Sequence, residues 1–580
     1  MKLIHLSGLE RYLKTSKNSN IILSWNLNND YFKHFKKKEI FYVSKVWQKN
    51  KFKVKNKVIK LRKKILPQLK KQLNLINKIN YSKKEWEILL EPWLFIYLYS
   101  MYFRWIVINE LISKYKNFRY FEIKNKKNIP FFDTLQYAKL MNNDDVCNHL
   151  LLQDILKFKK ITKGKIKTNY NFTIQKKKLI SKIFTQIKNS PLFILYEKII
   201  CKIFNIKILV NLRTKKINFL KLCFKLNVIP FKGLSIFSRD KLINISNRND
   251  FNKIKRFKLK IEMKKKDNFE KYIINRIQND IPRVYIENFF DIKKIHANQL
   301  SKTNIVVTDT MHVYNPIFKS WLAYKKNLNK KFKIITSDHG GIYGGQQIYN
   351  YNLAISTIDF KNQKNINKKQ LSLPCLFLNK HKCKFKNKIL LVCKDITKYP
   401  RAFRGPICDE INYEINQIKK VIKCIDNSLK DKIFIRPYLV ENGWRPHKEY
   451  KKIIGVEKIA YSNNLYSKLK EEAYIKIVTY PQTAFLECLI NGPTFLLFDP
   501  KYYNDSKQNK KYMKILFKNK IAFKSGKQLA IHLNQIEKNI LSWWQQKKIQ
   551  NSVNLFINKT SIYNDDPTSD WAKNLKKIIS

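Results

Sequence analysis

One aspartate and one histidine stand directly before the densest cluster of glycines in the sequence. The chain has 580 residues but only 12 glycines. Four of these follow Asp338 and His339 within six residues: Gly340, Gly341, Gly344 and Gly345. Residues 333–336, just before them, are predicted to form a short strand. Because glycine lets backbone N–H groups approach a phosphate without an intervening side chain, this strand and turn are suited to binding an anion. A tight loop with an incidental histidine is the alternative interpretation.

Two predicted strands further along the chain end in polar residues. Residues 433–435 are predicted to run into Arg436, and residues 474–478 to run into Thr479. Ligands of parallel α/β sheets bind at the carboxyl ends of strands, so both side chains are candidate ligand contacts. Arg436 is favoured for a phosphate because a guanidinium can bind phosphate through two parallel hydrogen bonds.

A short helix is predicted for residues 484–491, just after Thr479. Either Gln482 or Thr483 would open this helix, where N–H groups and a hydroxyl can hold a phosphate. Glu487 would lie one turn later, in a position to accept hydrogen bonds from ribose hydroxyls. The alternative is a capping threonine followed by an exposed glutamate.

Alternating strands and helices in the C-terminal half indicate an α/β fold with a parallel sheet. Four predicted strands alternate with helical stretches: residues 389–392, 433–435, 474–478 and 494–498. Nearer the N-terminus, apolar residues at spacings of three and four predict a helix over residues 60–79, kinked or split at Pro67. We therefore expect an α/β protein with a helical N-terminal elaboration.

The net charge of +75, from 117 basic and 42 acidic residues, would ordinarily suggest a nucleic acid or an anionic membrane as partner. The lysines are spread over the whole length and accompany many Asn, Ile, Phe and Tyr residues, as an AT-rich genome would encode. We therefore expect no nucleic-acid partner, and we keep peripheral contact with an anionic membrane as an expectation.

The predicted compartment is the cytoplasm, with peripheral contact at the inner face of the membrane. The nine cysteines have no CxxC spacing and are odd in number, which favours reduced thiols. Residues 1–5 lack the apolar core of a signal peptide. The apolar segment 88–108 contains Glu91 and Arg104, and charges are costly at a bilayer centre, so we expect a buried helix there.

Several short blocks spread over nearly the whole chain form a pattern: Glu85-Trp86, Pro92-Trp93-Leu94, Arg104, residues 339–344, Thr483, Leu486-Glu487, Pro493-Thr494 and Trp543-Trp544. In these blocks the chain resembles a family of transferases encoded with bacterial surface-polysaccharide genes, and more broadly the two-Rossmann-domain (GT-B-like) glycosyltransferases. The His-Gly pair is also similar to that of polyol-phosphate polymerases of teichoic-acid synthesis. Two departures are Gly492-Pro493, with no residue between, and Tyr438, where those polymerases often carry histidine. We expect the tryptophans to be core residues rather than sugar platforms.

The resemblance implies an α/β fold of two Rossmann-like lobes. Residues 1–345 would form an N-terminal α/β lobe with helical insertions on the acceptor side. Residues 346–540 would form the nucleotide-donor lobe, and residues 541–580 would be helices that cross back to the first lobe.

The implied function is transfer of a sugar or polyol-phosphate from a nucleotide-activated donor to a glycan or lipid-linked acceptor, as a cell-surface polysaccharide precursor. His339 would deprotonate the acceptor hydroxyl, with Asp338 as the next candidate. The implied donor contacts are Gly340, Gly341, Gly344, Arg436, Thr479, Gln482, Thr483 and Glu487. The nucleotide-sugar donor would be a substrate, and neither a cofactor nor a metal is implied. The alternatives are a basic nucleic-acid-binding protein and a non-catalytic scaffold of a polysaccharide assembly complex.

Overall fold

The computed structural model describes residues 2–9, 20–27, 36, 39–123, 130–161, 165–168, 191–248, 250–263, 266–338, 353–356, 370–381, 383–394, 396–400, 407–440, 442–503 and 507–579. The chain divides into two compact units that interleave along the sequence. Unit 1 contains residues 1–211, 231–334 and 398–403, and unit 2 contains residues 212–230, 335–397 and 404–580.

The described strands all pair in parallel. In chain order they are β1 (Lys2–His5), β2 (Asn20–Leu23), β3 (Ile40–Phe41), β4 (Phe118–Ile123), β5 (Lys165–Thr168), β6 (Ile208–Asn211), β7 (Ile305–Thr308), β8 (Lys333–Ser337), β9 (Leu353–Ser356), β10 (Gln370–Ser372), β11 (Lys386–Val392), β12 (Ile433–Arg436), β13 (Ala473–Val478), β14 (Thr494–Leu497) and β15 (Ala522–Phe523). The predicted strands at 333–336, 389–392, 433–435, 474–478 and 494–498 are confirmed as β8, β11, β12, β13 and β14.

Helices accompany these strands throughout. They are α1 (Val43–Asn77), α2 (Lys83–Lys114), α3 (Thr134–Asn143), α4 (Asp145–Phe158), α5 (Pro191–Ile203), α6 (Lys216–Lys225), α7 (Ile243–Asn247), α8 (Lys253–Phe257), α9 (Asn268–Asp280), α10 (Phe289–His296), α11 (Met311–Tyr314), α12 (Pro316–Leu328), α13 (Ile411–Cys424), α14 (Asn427–Lys430), α15 (His447–Ile454), α16 (Asn463–Glu472), α17 (Thr483–Leu489), α18 (Lys507–Lys518), α19 (Gly526–Ile536), α20 (Ile540–Gln545), α21 (Lys547–Thr560) and α22 (Pro567–Ile579).

Unit 1 contains a parallel sheet in the order β3-β2-β1-β4-β5 and a parallel pair of β6 with β7. Its helical elaboration is the long hairpin of α1 and α2. The predicted helix at 60–79 is part of the 35-residue α1, which Pro67 does not split. Lys78 closes α1 in a left-handed conformation, and Ser82 caps α2 by accepting a hydrogen bond from the backbone N–H of Lys84.

The apolar segment 88–108 is buried on every side in the middle of α2, as expected. Its Arg104 is fully buried, and all five guanidinium N–H groups have acceptors. These acceptors are the carbonyl oxygens of Ser100, Met141 and Pro400 and the side-chain oxygen of Asn148, which accepts twice. Glu91 lies 3.6 Å from Arg62. Among the described residues, no helix is both long and apolar enough to cross a membrane.

Unit 2 contains a parallel sheet in the order β12-β11-β13-β14-β15. Earlier in the chain, β8 pairs with β9 and β9 pairs with β10, both in parallel. The register aligns Val392 of β11 with Arg436 of β12 and with Val478 of β13. The boundary between the units falls within β8. The expected α/β class with parallel sheets in two lobes is confirmed.

Helices α20 to α22 belong to unit 2, where α21 packs on α18 and α22 on α6. Trp544 is buried, and Trp543 stacks on Phe495 with the ring centres 5.5 Å apart. Trp93 and Trp105 are also buried, so the expectation of core tryptophans is confirmed for Trp93, Trp105 and Trp544, while Trp543 is half-buried. The predicted lobe boundaries at residues 345 and 540, and the predicted return of residues 541–580 to the first lobe, stay predictions.

Candidate functional site

The order of the strands marks one edge of the unit 2 sheet as a candidate ligand site. The second strand in chain order, β12, lies on one side of β11, and the third, β13, lies on the other, so the winding direction reverses between β11 and β13. In open α/β sheets the crevice for a ligand lies outside the carboxyl ends of the strands at such a reversal. The predicted residues Arg436 and Thr479 stand at this edge, after β12 and β13.

Thr479 follows β13 and connects it to β11, the two strands between which the winding reverses. Its backbone N–H donates to the carbonyl of Val392 at 3.0 Å, which extends the pairing of β13 with β11 by one residue. Its Oγ1 accepts a hydrogen bond from the backbone N–H of Lys394 at 3.1 Å. Because this oxygen acts as an acceptor here, the hydroxyl hydrogen remains to be donated towards a ligand.

Arg436 is buried at the end of β12 and anchors the start of α16. Its Nη1 donates to the carbonyls of Ala460 at 2.7 Å and Ser462 at 3.0 Å, and its Nη2 donates to Oδ1 of Asn463 at 2.8 Å. Burial lowers the pKa of Arg436 below its ordinary value, and the Tyr466 hydroxyl opposes this. These three bonds occupy three of the five N–H groups, so the positioning of α16 is one role of this residue. Its contact with a phosphate stays a prediction.

Glu487 lies on α17 and forms an ion pair with α16. Its Oε1 accepts a hydrogen bond from Nζ of Lys470 at 2.6 Å. Tyr466, one turn before Lys470, lies between the two predicted residues: the Arg436 guanidinium carbon is 4.9 Å from its ring centre, and Lys470 Nζ is 5.7 Å from it. The side chains of Arg436 and Glu487 therefore converge on one face of α16.

Gln482 is the N-cap residue of α17, and its side chain makes no capping hydrogen bond. Its backbone N–H donates to the carbonyl of Tyr480 at 3.0 Å, and Thr483 is the first helical residue. Both side chains are half-buried. The alternative of Thr483 as the cap is thus wrong, because the residue with extended backbone at the helix start is Gln482.

The turn that follows α17 is held by Asn491. Its Nδ2 donates to the carbonyl of Glu487 at 2.8 Å, its Oδ1 accepts from the backbone N–H of His381 at 2.9 Å, and its carbonyl accepts from Nζ of the buried Lys476 at 3.0 Å. Gly492 has a φ of +116°, and a Cβ there would lie 2.8 Å from the ring of Phe385. The Gly-Pro pair thus needs glycine for both conformation and space.

Asp338 lies half-buried at the end of β8, where its carbonyl accepts a hydrogen bond from Oγ of Ser337 at 3.2 Å. Burial raises the pKa of the Cys375 thiol to about 12, and the negative charges of Asp338 and Glu487 both raise it further. The charges of Asp338 and Glu487, both predicted site residues, therefore influence the pKa of the same buried thiol. His339, Gly340, Gly341 and Gly344 lie outside the described residues, so their roles stay predictions.

Residues 2–575 match the LIC12162 family transferases. The chain belongs to this family. No curated protein matches it. Among solved structures it is similar to Staphylococcus aureus MnaA with UDP, at 11% identity and a TM-score of 0.33, over 64% of this chain and 97% of that one. It is also similar to the wall teichoic acid polymerase TagF, at 12% identity and a TM-score of 0.28, over 50% of this chain and 84% of that one.

This LIC12162 family transferase has three side chains near Glu487 that the sequence analysis missed: Lys470, Lys215 and His381. Burial lowers the pKa of Lys215, while the charge of Glu487 raises it and that of Lys470 lowers it. Burial also lowers the pKa of His381, and Lys470 lowers it further. Among the described residues, His381 Nε2 has no hydrogen-bond partner. The chain has so many lysines that no signal in the sequence distinguishes Lys215 or Lys470.

Proposed function

We propose that this transferase moves a sugar or polyol-phosphate from a nucleotide-activated donor to a glycan or lipid-linked acceptor of surface-polysaccharide synthesis. The donor would bind at the carboxyl edge of the unit 2 sheet. One observation carries the proposal: Arg436 ends β12 and Thr479 follows β13, the two strands that flank β11 where the winding of that sheet reverses, and Glu487 meets the same face of α16 as Arg436.

The electrostatics around Glu487 support a diphosphate ligand. Arg436, Lys470 and Lys215 contribute three positive charges beside two carboxylates, Glu487 and Glu471. Such an excess of positive charge at a partly buried site attracts phosphate groups. Lys470 occupies Oε1 of Glu487, so we assign Oε2 to the ribose hydroxyls. The Thr479 hydroxyl is assigned to the phosphates.

The chemistry that we assign is a displacement by an acceptor hydroxyl. His339, or Asp338 in its place, takes the hydroxyl proton while the oxygen bonds to the sugar carbon. The bond from that carbon to the diphosphate oxygen breaks, and a nucleoside diphosphate leaves with the electron pair. For a polyol-phosphate donor, the oxygen instead attacks the outer phosphorus and a nucleoside monophosphate leaves. The nearby cations offset the charge of the leaving group.

Thermal shift tests donor binding. CMP-, CDP-, UDP- and GDP-linked donors are titrated against the wild type, Glu487→Gln and a matched control, Glu537→Gln. Glu537 forms a similar partly buried ion pair with Lys432, at 2.9 Å, beside the amino end of β12. We expect one donor class to raise the melting temperature of the wild type and the control, and to raise that of Glu487→Gln much less. A control variant that loses the shift equally, or no shift with any donor, contradicts the proposed site.

His339→Ala separates chemistry from binding. Loss of a general base lowers the rate by about 10² to 10⁴-fold. We expect this loss in product release, while calorimetry finds the donor affinity unchanged. Asp338→Asn serves as the parallel variant. If His339→Ala turns over normally and Asp338→Asn does not, the base is Asp338.

A further inference from the structure

Helix α1 is long and strongly basic. Its 35 residues include twelve basic and no acidic side chains. The single arginine, Arg62, is buried and lies 3.6 Å from Glu91 of α2. Every exposed charge on α1 is therefore a lysine.

Seven of the eight exposed lysines of α1 lie on one side of the helix. The opposite side carries the apolar residues that pack on α2. At 100° per residue these seven lysines, with the exposed Phe52 and Leu75, fall within an arc of about 140°, and Lys55 lies outside it. We call this arc the lysine face; its lysines are Lys45, Lys49, Lys53, Lys60, Lys63, Lys64 and Lys71. Lys49 pairs with Glu110 and Lys64 with Glu270. In the part of the chain that the structure describes, no carboxylate lies within 4.0 Å of Lys53, Lys60, Lys63 or Lys71.

Two large apolar side chains are exposed on the same face. Phe52 is 68% exposed and Leu75 is 66% exposed. Leu75 lines an open cleft of about 860 Å³ at the turn between α1 and α2, together with the cations Lys70, Lys71, Lys78 and Lys83. The cleft therefore combines four positive charges with an apolar wall.

We propose that the lysine face is a docking surface for a bilayer that contains anionic lipid. The cleft would receive lipid headgroup phosphates, and Phe52 and Leu75 would enter the interfacial region. A helix of 35 residues is about 52 Å long, so its face can contact many headgroups at once. Each lysine near an anionic surface adds to the attraction, and exposed apolar side chains add to membrane binding.

The same features favour lipid over nucleic acid. Binding to DNA or RNA draws on arginine for bidentate contacts with phosphates and base edges, and the lysine face has no arginine. Exposed Phe52 and Leu75 gain little from contact with a phosphate backbone. In contrast, both can bury apolar surface at a membrane interface. The lysine face lies in unit 1 and the proposed donor site lies in unit 2. A negative result for membrane binding therefore leaves the proposed reaction unaffected, and the reverse also holds.

Flotation of the full chain with vesicles tests the surface. The vesicles are phosphatidylcholine alone, or phosphatidylcholine with about one third phosphatidylglycerol. The test variant is Lys60→Gln/Lys63→Gln/Lys71→Gln. The control, Lys420→Gln/Lys423→Gln/Lys430→Gln, removes the same charge from exposed positions in unit 2. We expect binding only to the anionic vesicles, a loss of at least about tenfold in the test variant, and little change in the control.

A second variant, Phe52→Ser/Leu75→Ser, changes no charge, and we expect it to weaken vesicle binding severalfold. Unchanged melting temperatures show that the variants are folded. No binding of the wild type to anionic vesicles overturns the proposal, as does an equal loss in the unit 2 control. If the test variant loses binding to duplex RNA or DNA but keeps vesicle binding, the surface belongs to nucleic acid and the proposal is overturned.

Discussion

Buried cations do much of the positioning in this protein at the scale of single residues. Arg104 and Arg436 donate mainly to backbone carbonyls. The buried Lys476 donates to the carbonyl of Asn491, and the buried Lys319 donates to one carbonyl and two hydroxyls. An uncompensated buried charge is costly, so each of these groups needs its acceptors. A lysine in such a place also has the option of losing its proton, which an arginine lacks.

Lys319 makes the stability of unit 1 depend on pH. Its Nζ donates to the hydroxyls of Tyr285 and Thr134 and to the carbonyl of Leu89. Burial lowers the pKa of Lys319 to about 7; the charge of Asp133 raises this pKa, and that of Arg239 lowers it. Between that value and the ordinary lysine pKa of about 10.4, the unfolded chain binds a proton that the folded chain does not. The free energy of unfolding should therefore rise with pH in this window, by up to about 1.4 kcal/mol per pH unit.

Denaturant titrations between pH 7 and pH 10 check this. Lys319→Met should lack the rise. The difference in the free energy of unfolding between wild type and variant should therefore change with pH, because the contributions of the other lysines cancel. Lys331→Met, at an exposed position, is the control: its free energy of unfolding should change with pH as that of the wild type does. Parallel profiles for Lys319→Met as well would mean that Lys319 stays charged in the folded protein.

At the scale of the structural element, the turn between α17 and β14 links two elements of the proposed donor site. Asn491 ties the end of α17 to His381 and to the buried Lys476 of β13. The adjacent Gly492 adopts a φ of +116°, which L-residues with a side chain rarely adopt. This turn therefore sets the position of α17, and with it Glu487, relative to β13.

We expect Gly492→Ala to lower the free energy of unfolding by about 1–2 kcal/mol or more, because the backbone conformation is unfavourable for alanine. The new Cβ would also lie 2.8 Å from the ring of Phe385. Chemical denaturation measures the loss. In Phe385→Ala, the further cost of Gly492→Ala should be smaller, since only the conformational part remains. A variant as stable as the wild type would show that the turn relaxes without cost.

At the scale of the whole molecule, we expect the donor to slow hydrogen exchange in unit 2 but not in unit 1. A ligand at one hundred times its Kd stabilises the species that binds it by about 2.7 kcal/mol. If the donor binds at the carboxyl edge of the unit 2 sheet, local opening there is suppressed first. We expect slower hydrogen exchange in residues 473–489, and unchanged local exchange in β1 and β2 of unit 1. Protection confined to unit 1 would place the donor elsewhere.

The sequence by itself determined the class of the fold and the edge of the sheet where the candidate residues lie. Buried parallel strands are short apolar runs, so 389–392, 433–435, 474–478 and 494–498 were all recognisable. The buried course of α2 followed from its apolar length interrupted by charged residues. These features depend on local composition and spacing, which the sequence displays directly.

Only the tertiary structure decided what the charged side chains contact. The sequence predicted Arg436 as a phosphate ligand, which stays a prediction, and only its neighbours in space show that it also anchors α16. It also did not reveal that Lys470 pairs with Glu487, because α16 was not predicted and one lysine among 117 basic residues carries no signal. A contact between side chains depends on how helices and strands pack, and packing brings together residues that have no pattern in common along the chain.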